Sequence, residues 1–308
     1  MTAPSPSSPA LPVDVSVVVP MKNEEANVTF LVEAIRLACA GLVDEGTGVE
    51  AILVDDGSTD GTALAVEALI PDRPWLRLIR HPASGGQSAA IHSGVHAARG
   101  RLICTLDGDG QNPPAEIPKL VRPLLSGDRP RLGLVAGQRV GRRDSLSKRA
   151  ASAFANGLRG WLLRDGTRDT GCGLKGFRRD AFLGLPYFDH MHRYLPALFR
   201  ASGWEIAHVD VAHAQRHAGR SNYTNIERAI AGAWDLLGVM WLIRRAKRVR
   251  PVEGPVEPQV RAGDADTAPV DGMADGATGG GTGPFGGAVE TPIETPVAAR
   301  AARREAGA

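Results

Sequence analysis

The sequence predicts an α/β fold in which a mostly parallel sheet carries helices on both faces. Apolar runs such as VDVSVVVP and RLICTL do not alternate with polar residues, which is typical of strands buried on both sides. Segments with apolar residues at helical spacing separate these runs, as in a doubly wound sheet. The chain has 308 residues, of which 43% are hydrophobic, so it can bury a sizeable core.

The first half of the chain repeats a strand followed by a helix. Strands are predicted within residues 13–20, 49–62, 76–81, 101–106 and 132–137, with an edge strand at 204–213. Helices are predicted at 23–41, 63–70, 86–100 and 146–164.

Composition changes sharply at Pro251. From there to the last residue the chain is rich in Gly, Pro, Ala, Thr and Glu, and Phe285 is the only aromatic residue. Such a segment cannot bury enough apolar surface to offset its ordering entropy. We therefore expect a disordered N-terminus (1–12), one folded domain (13–225), an amphipathic helix (226–250) and a disordered tail (251–308).

Bulk properties exclude some classes of protein. The net charge of +2 gives no global attraction for nucleic acid, so no nucleic-acid partner is expected. Three cysteines without CxxC spacing argue for a reducing compartment. The first residues lack a basic region and an apolar core, so a secretory signal is not expected. These features together predict a cytoplasmic location.

Polar side chains collect where three of the predicted strands end. They are Asn23 and Glu24, Asp55 and Asp56, and Asp107 and Asp109. Ligands of open parallel sheets bind outside the carboxyl ends of the strands. We therefore expect these groups to share one cleft.

The pair Asp107 and Asp109 has the chemistry of half a metal site. Carboxylates held close together repel each other, and a bound cation removes that repulsion. Mg²⁺ is usually held by one or two carboxylates together with substrate phosphates, and Gln111 offers a further oxygen. The alternative is ordinary turn chemistry with solvated carboxylates.

Four blocks in this order carry a family resemblance: VSVVVPMKNEE, ILVDDGSTDGT, GGQSAAIHSGVHAARG and LICTLDGDGQNPPAEIPKL. They resemble family 2 glycosyltransferases with the Rossmann-like GT-A fold, and among these the polyprenyl-phosphate sugar transferases of the dolichol-phosphate mannosyltransferase type. The resemblance implies an inverting transfer from a GDP- or UDP-linked sugar to polyprenyl phosphate, with Mg²⁺ or Mn²⁺ as cofactor.

The resemblance also implies roles for single residues. The implied donor-binding residues are Pro20, Asn23, Glu24, Asp55, Asp56 and Gln87. The implied metal ligands are Asp107, Asp109 and Gln111, and the implied catalytic residues are Asp107, Asp109 and Asp169. Many relatives carry Lys in place of Gln87, so charge compensation at the diphosphate would fall more heavily on the metal.

A second group of residues is implied for the acceptor phosphate. These residues are Arg139, Lys148, Arg149, Ser152, Arg216 and Ser221. Cations and a hydroxyl near helix amides suit a phosphate, although a solvated basic face is the alternative. A phosphate monoester is already largely ionised at neutral pH, so Asp169 is expected to orient basic side chains rather than to act as a base. The spacing of His213 and His217 also allows a zinc pair, and the alternatives are a donor or acceptor contact or plain exposure.

The stretch AIAGAWDLLGVMWLI (229–243) is apolar but is interrupted by Asp235 and is shorter than the ~20 residues that span a membrane. RRAKRVR follows it directly, which suits an interfacial anchor beside anionic lipid. The alternative is a helix packed on the catalytic domain. We expect a peripheral protein at the cytoplasmic face of the membrane, and a membrane protein is a further candidate partner.

Two other functions stay open on the sequence alone. One is the same donor chemistry with a lipid A precursor or a saccharide as acceptor. The other is a non-enzymatic subunit that keeps the fold and binds a partner.

Overall fold

A computed structural model describes residues 12–140, 160, 162–163, 165–214 and 225–245, except for the side chains of 225–231 and 233. The predicted N-terminal segment up to residue 11, nearly all of the predicted helix 146–164 and the predicted tail 251–308 lie outside the described residues. The domain boundaries drawn from composition therefore stay predictions.

Seven strands form one sheet, and their bounds follow the predicted apolar runs with one exception. The strands are β1 (Val13–Met21), β2 (Gly48–Asp55), β3 (Leu76–Arg80), β4 (Leu102–Thr105), β5 (Leu132–Arg139), β6 (Lys175–Arg178) and β7 (Glu205–Val211). Their order in the sheet is β3-β2-β1-β4-β6-β5-β7, and β7 is the predicted edge strand. Strand β6 is antiparallel to both of its neighbours, and every other pairing is parallel.

Strand β6 is the exception, because the sequence did not predict it. Its residues KGFR contain a single large apolar side chain, Phe177, and so make no apolar run. The strand exists because β4 and β5 pair with it on both sides, which satisfies its backbone groups whatever its side chains are.

Helices cover both faces of the sheet, as predicted. They are α1 (Glu25–Asp44), α2 (Thr62–Glu67), α3 (Gln87–Ala97), α4 (Ile117–Leu125), α5 (Arg179–Leu183), α6 (Leu195–Ala201) and α7 (Asn225–Arg245). Short 3₁₀ turns lie at Pro114–Glu116 and Met191–Arg193. Helix α2 is shorter than its predicted range, and α7 lies in the predicted C-terminal helix.

The two faces bury separate apolar clusters. Alternate residues of β1 point to opposite sides: Val17 and Val19 pack with α1 and α4, whereas Val18 packs with α3 and α6. One side of α7 joins the second cluster through Val239. The sheet is therefore buried on both sides, which explains why its strands lack alternation.

Among the described residues, only α1 is long and apolar enough to cross a membrane. Leu31, Val32 and Ile35 of this helix are buried against the sheet, so its apolar character is explained by the core.

Candidate functional site

The site lies at the carboxyl ends of β1, β2 and β4, which are neighbours in the sheet. The loops that follow these strands therefore meet at one rim, as the sequence predicted. Asp55 is the last residue of β2, and Asp107 follows β4 after a single intervening residue. The predicted donor and metal residues are thus brought together.

The loop after β1 is bonded to the loop after β2. Asn23 has a left-handed backbone (φ 55°), and its Oδ1 accepts a hydrogen bond from the amide of Thr59 at 2.8 Å. The amide of Glu24 donates to Thr62 Oγ1 at 2.9 Å. Asp55 Oδ1 accepts from the amide of Ser58 at 3.0 Å. Asn23 and Glu24 therefore join the loop after β1 to the loop after β2, and Asp55 stabilises the loop after β2 from within.

Asp56 lies buried behind this rim and accepts four hydrogen bonds. His81 Nδ1 and the amide of Gly85 donate to its Oδ1 at 2.7 and 2.8 Å. Ser84 Oγ and the amide of Gly86 donate to its Oδ2 at 2.7 and 2.9 Å. Burial raises the pKa of the Asp56 carboxyl, but these hydrogen bonds outweigh burial and hold the pKa below its ordinary value.

Asp56 should therefore stabilise the fold in a pH-dependent way. A carboxylate with a lowered folded pKa contributes its full stability above the unfolded pKa of ~3.9 and loses it as pH falls through the folded value. We expect Asp56→Asn to lower the free energy of unfolding at neutral pH, and the gap to wild type to shrink below about pH 4. Urea unfolding of both proteins between about pH 6 and pH 3 measures this gap. A gap that stays constant over this range would contradict the lowered pKa.

The 84–88 turn connects Asp56 to the acidic pair. Its first three residues bind Asp56, as described above. Its fourth residue, Gln87, donates from Nε2 to Asp107 Oδ1 at 2.7 Å. Its last residue, Ser88, shares a hydrogen bond of 2.7 Å with Nδ1 of the partly buried His192. Gln87, where many relatives carry Lys, is thus a hydrogen-bond donor to Asp107, one of the predicted metal ligands.

Asp107 and Asp109 lie on the loop after β4. Asn112 Nδ2 donates to Asp107 Oδ2 at 2.8 Å, and the amide of Gln111 donates to Asp109 Oδ1 at 3.1 Å. Burial and the neighbouring charge of Asp109 raise the pKa of Asp107, while Lys175 among other groups opposes this rise.

These residues fit a divalent cation. A dication would relieve the repulsion that raises the pKa of Asp107, and carboxylate oxygens are its preferred ligands. No group of three or more His, Cys, Asp or Glu side chains that could hold a metal occurs in the described part of the chain. The ligands available there are thus a carboxylate pair, which leaves coordination positions for phosphate oxygens.

The residues that lead into β6, and its first residue, lie close to Asp107. Gly173 lies so close to Asp107 that a Cβ on it would stand 2.5 Å from Asp107 Oδ1. Lys175 is buried, and its Nζ donates to the carbonyl of Cys172. Burial lowers the pKa of Lys175, which nearby Cys172, Asp107 and Asp169 oppose. The sequence reasoning missed this lysine, although a lone Lys between apolar and glycine residues in the DTGCGLKGF block was the available signal.

Asp169 forms a bidentate pair with Arg139. Arg139 Nε and Nη2 donate to its two carboxylate oxygens at 2.5 and 2.8 Å, and both side chains are largely buried. The amide of Asp169 donates to Gln138 Oε1 at 2.9 Å, which fixes the carboxylate on β5. This hydrogen-bonded carboxylate raises the pKa of Arg139. The geometry is that of a carboxylate that orients a guanidinium.

The other predicted acceptor residues, Lys148, Arg149, Ser152, Arg216 and Ser221, lie outside the described residues, as does His217. Their grouping with Arg139 stays a prediction. His213 is described and lies beside the acidic loop, because the amide of the next residue, Ala214, donates to the carbonyl of Gln111 at 3.0 Å.

Sequence comparison places this arrangement among known enzymes. The family model described as glycosyl transferase family 2 matches residues 16–184. A dodecaprenyl-phosphate galacturonate synthase from Rhizobium johnstonii is 36% identical over 246 residues, which cover 79% of this chain and 71% of that relative. An undecaprenyl-phosphate 4-deoxy-4-formamido-L-arabinose transferase from Photorhabdus laumondii is 35% identical over 211 residues, covering 68% of this chain and 63% of that relative.

Solved structures share the architecture. Glucosyl-3-phosphoglycerate synthase from Mycobacterium tuberculosis, in complex with Mn²⁺, uridine diphosphate and phosphoglyceric acid, has a TM-score of 0.55 at 21% identity and covers 76% of this chain and 80% of its own. The same synthase with Mg²⁺ and uridine diphosphate has a TM-score of 0.54 at 21% identity, covering 75% and 79%. This likeness confirms the predicted fold class.

Proposed function

This chain belongs to glycosyl transferase family 2 and is a glycosyltransferase, and from this membership we propose that it moves a sugar from a nucleotide-diphosphate sugar to a polyprenyl phosphate. The names of the two relatives that are about 35% identical support the acceptor, since both act on a polyprenyl phosphate. The chain spans 63–71% of the length of those relatives, so the identity of the transferred sugar is not inferred from their names.

The observation that carries the proposal is the acidic pair with its amide partners. Gln87 and Asn112 hold the two oxygens of Asp107 in place, and Asp109 lies two residues further on the same loop. We propose that Asp107, Asp109 and Gln111 hold Mg²⁺ or Mn²⁺, which when bound would neutralise the donor diphosphate as it leaves. Asn23, Glu24 and Asp55 would line the nucleoside side of the cleft, beside Pro20, and Asp56 would hold the donor-binding loops in place from behind the rim.

The acceptor side is proposed to work without a general base. A phosphate monoester is already largely ionised at neutral pH, so it needs cations and orientation rather than proton removal. Asp169 uses both of its oxygens to hold Arg139, which supports an orienting role. Arg139 Nη1 makes no hydrogen bond to a described residue and can donate to the acceptor phosphate. Lys148, Arg149, Ser152, Arg216 and Ser221 are proposed to complete the phosphate site.

A panel of donors tests the proposal directly. The full chain is incubated with GDP- and UDP-linked sugars, a short polyprenyl phosphate and Mn²⁺, and the glycolipid product is measured. We expect one donor class to give product with inversion at the anomeric carbon. Turnover with a saccharide or a lipid A precursor in place of the polyprenyl phosphate would instead support the alternative acceptors. Absence of transfer with every donor would contradict the proposed reaction.

Helix α7 supports placement at a membrane surface. Its inner side packs on the core through Leu236, Val239 and Met240. Its outer side carries Trp234 and Trp241, which are 71% and 60% exposed and lie two turns apart. The helix ends in Arg244 and Arg245. A row of exposed tryptophans beside a basic end suits the interface of an anionic membrane, with the protein peripheral at its cytoplasmic face.

Removing the two tryptophans should weaken membrane binding. We expect Trp234→Ala/Trp241→Ala to lower binding to vesicles containing phosphatidylglycerol about a hundredfold or more, because the two side chains together lose about 3–6 kcal/mol of burial. Co-sedimentation with vesicles measures it. Leu64→Ala is a matched control, since Leu64 is equally exposed (69%) on α2. Equal binding of the tryptophan variant and wild type would remove this surface from the proposal.

A further inference from the structure

The segment from Asp189 to Tyr194 contacts both helix α7 and the 84–88 turn. His190 Nδ1 donates to Asp235 Oδ2 of α7 at 2.9 Å, and the hydroxyl of Tyr194 donates to the carbonyl of Gly232 at 3.3 Å. We call this stretch the bridge segment. Through these two hydrogen bonds it joins α7 to the sheet domain.

The other side of the bridge segment faces the site. His192 Nδ1 and its backbone amide both contact Ser88 Oγ, at 2.7 and 3.4 Å. A Cβ on Gly86 would lie 3.7 Å from Asp189 Oδ1. The bridge segment thus rests on the same turn that binds Asp56 through Gly85 and Gly86 and Asp107 through Gln87.

His190, the second residue of this segment, has an uncommon backbone conformation. Its φ is 63°, a left-handed value that is uncommon for residues with a Cβ, although less so for Asn, Asp and His, and that surrounding contacts hold in place. The backbone amide of His190 donates to Asp189 Oδ1 at 2.8 Å, and its ring bonds Asp235. The hydrogen bond from the His190 ring to Asp235 of α7 therefore helps to hold this turn in its conformation.

From these contacts, and resting on the function proposed above, we propose that His190 and Asp235 are positioning residues. The pair ties helix α7 to the bridge segment and thereby fixes the 84–88 turn, which presents its amides and Gln87 to the two site carboxylates. Neither residue touches the reacting atoms. Because α7 also carries the exposed tryptophans, the proposal makes donor-site geometry depend on the seating of the helix that faces the membrane.

A double-mutant cycle tests the coupling in the full chain. The variants are Asp235→Ala, His190→Asn, which tolerates a positive φ, and the double variant. Two readouts are taken without acceptor: hydrogen exchange of the peptide covering residues 84–88, and calorimetric affinity for UDP and for GDP with Mn²⁺. His190 and Asp235 contact each other directly, so each single variant breaks the same link. We expect each single variant to weaken nucleotide affinity about three- to tenfold and to speed hydrogen exchange at residues 84–88. The double variant should bind nucleotide no more weakly than the single variant that has the lower affinity.

Controls separate the possible causes. Glu205→Ala breaks the 3.1 Å ion pair with Arg129, outside the bridge segment, and should leave both readouts unchanged. Asp235→Asn, which keeps the shape and an acceptor oxygen, should restore most of the affinity. Exchange at 84–88 equal to wild type in Asp235→Ala, or single effects that add fully in the double variant, would overturn the proposal. If no nucleotide binds to wild type, the proposed function fails, while the exchange readout still decides the role of the pair.

Discussion

Replacing Asp109 by Asn is expected to abolish nearly all sugar transfer while leaving the fold intact. Asn keeps an oxygen that can accept from the amide of Gln111, so the loop shape is retained and only the charge is lost. Loss of one preorganised electrostatic contact typically costs ~10²–10³ in rate, and loss of a metal ligand costs at least as much. Initial transfer rates at saturating donor, together with thermal unfolding, measure the two effects separately.

Metal removal should reproduce this result in wild type. EDTA is expected to stop transfer, and added Mg²⁺ or Mn²⁺ to restore it. Asp128→Asn is the matched control for Asp109→Asn. Asp128 is an exposed carboxylate on the loop before β5, so its replacement should leave the transfer rate unchanged. Full turnover in EDTA would rule out the metal role of the acidic pair.

Replacing Gly173 by Ala is expected to cost about 10²-fold in transfer rate, although a single methyl group is added. Cβ atoms essentially never approach within 3.0 Å of a neighbouring heavy atom, and the new Cβ would stand 2.5 Å from Asp107 Oδ1. Asp107 cannot turn away freely, because Gln87 and Asn112 bond its two oxygens. A shift of about 1 Å in a reacting group is enough for a loss of this size.

Gly41→Ala provides the comparison for a methyl group added without a clash. A Cβ on Gly41, inside α1, meets nothing within 4 Å, and Ala favours a helix by up to about 1 kcal/mol over Gly. This variant should keep full activity and gain slightly in Tm. Wild-type activity in Gly173→Ala would mean that Asp107 does not need its observed position.

The strand ends were predictable because their chemistry is local. Asp55, Asp56, Asp107 and Asp109 follow continuous apolar runs, and the geometry of parallel sheets brings such positions to one rim. The sequence also predicted that Asp169 orients Arg or Lys side chains, but that prediction depended on the family resemblance as well as on the charge of a phosphate acceptor. For the four strand-end carboxylates the reasoning needed only the strand pattern and the charge of the groups.

Contacts between distant segments were not predictable in the same way. Ser84 binds Asp56 across 28 residues and Ser88 meets His192 across 104, and no periodicity in the sequence encodes either distance. Lys175 was missed because β6 has no apolar run, so its first residue looked like part of a loop. Buried polar partners of this kind are set by tertiary packing.

The position of β6 also bears on how the chain reaches its native state. Strands β4 and β5 are made first, yet they do not pair with each other, and β6 must enter between them from more than thirty residues further along the chain. Until it does, both strands present unpaired edges that can recruit other chains. Pairings over long sequence separations form slowly. We therefore expect the half of the sheet from β5 to β7 to dock late during refolding, and aggregation during synthesis to be greatest for nascent chains that stop short of Arg178.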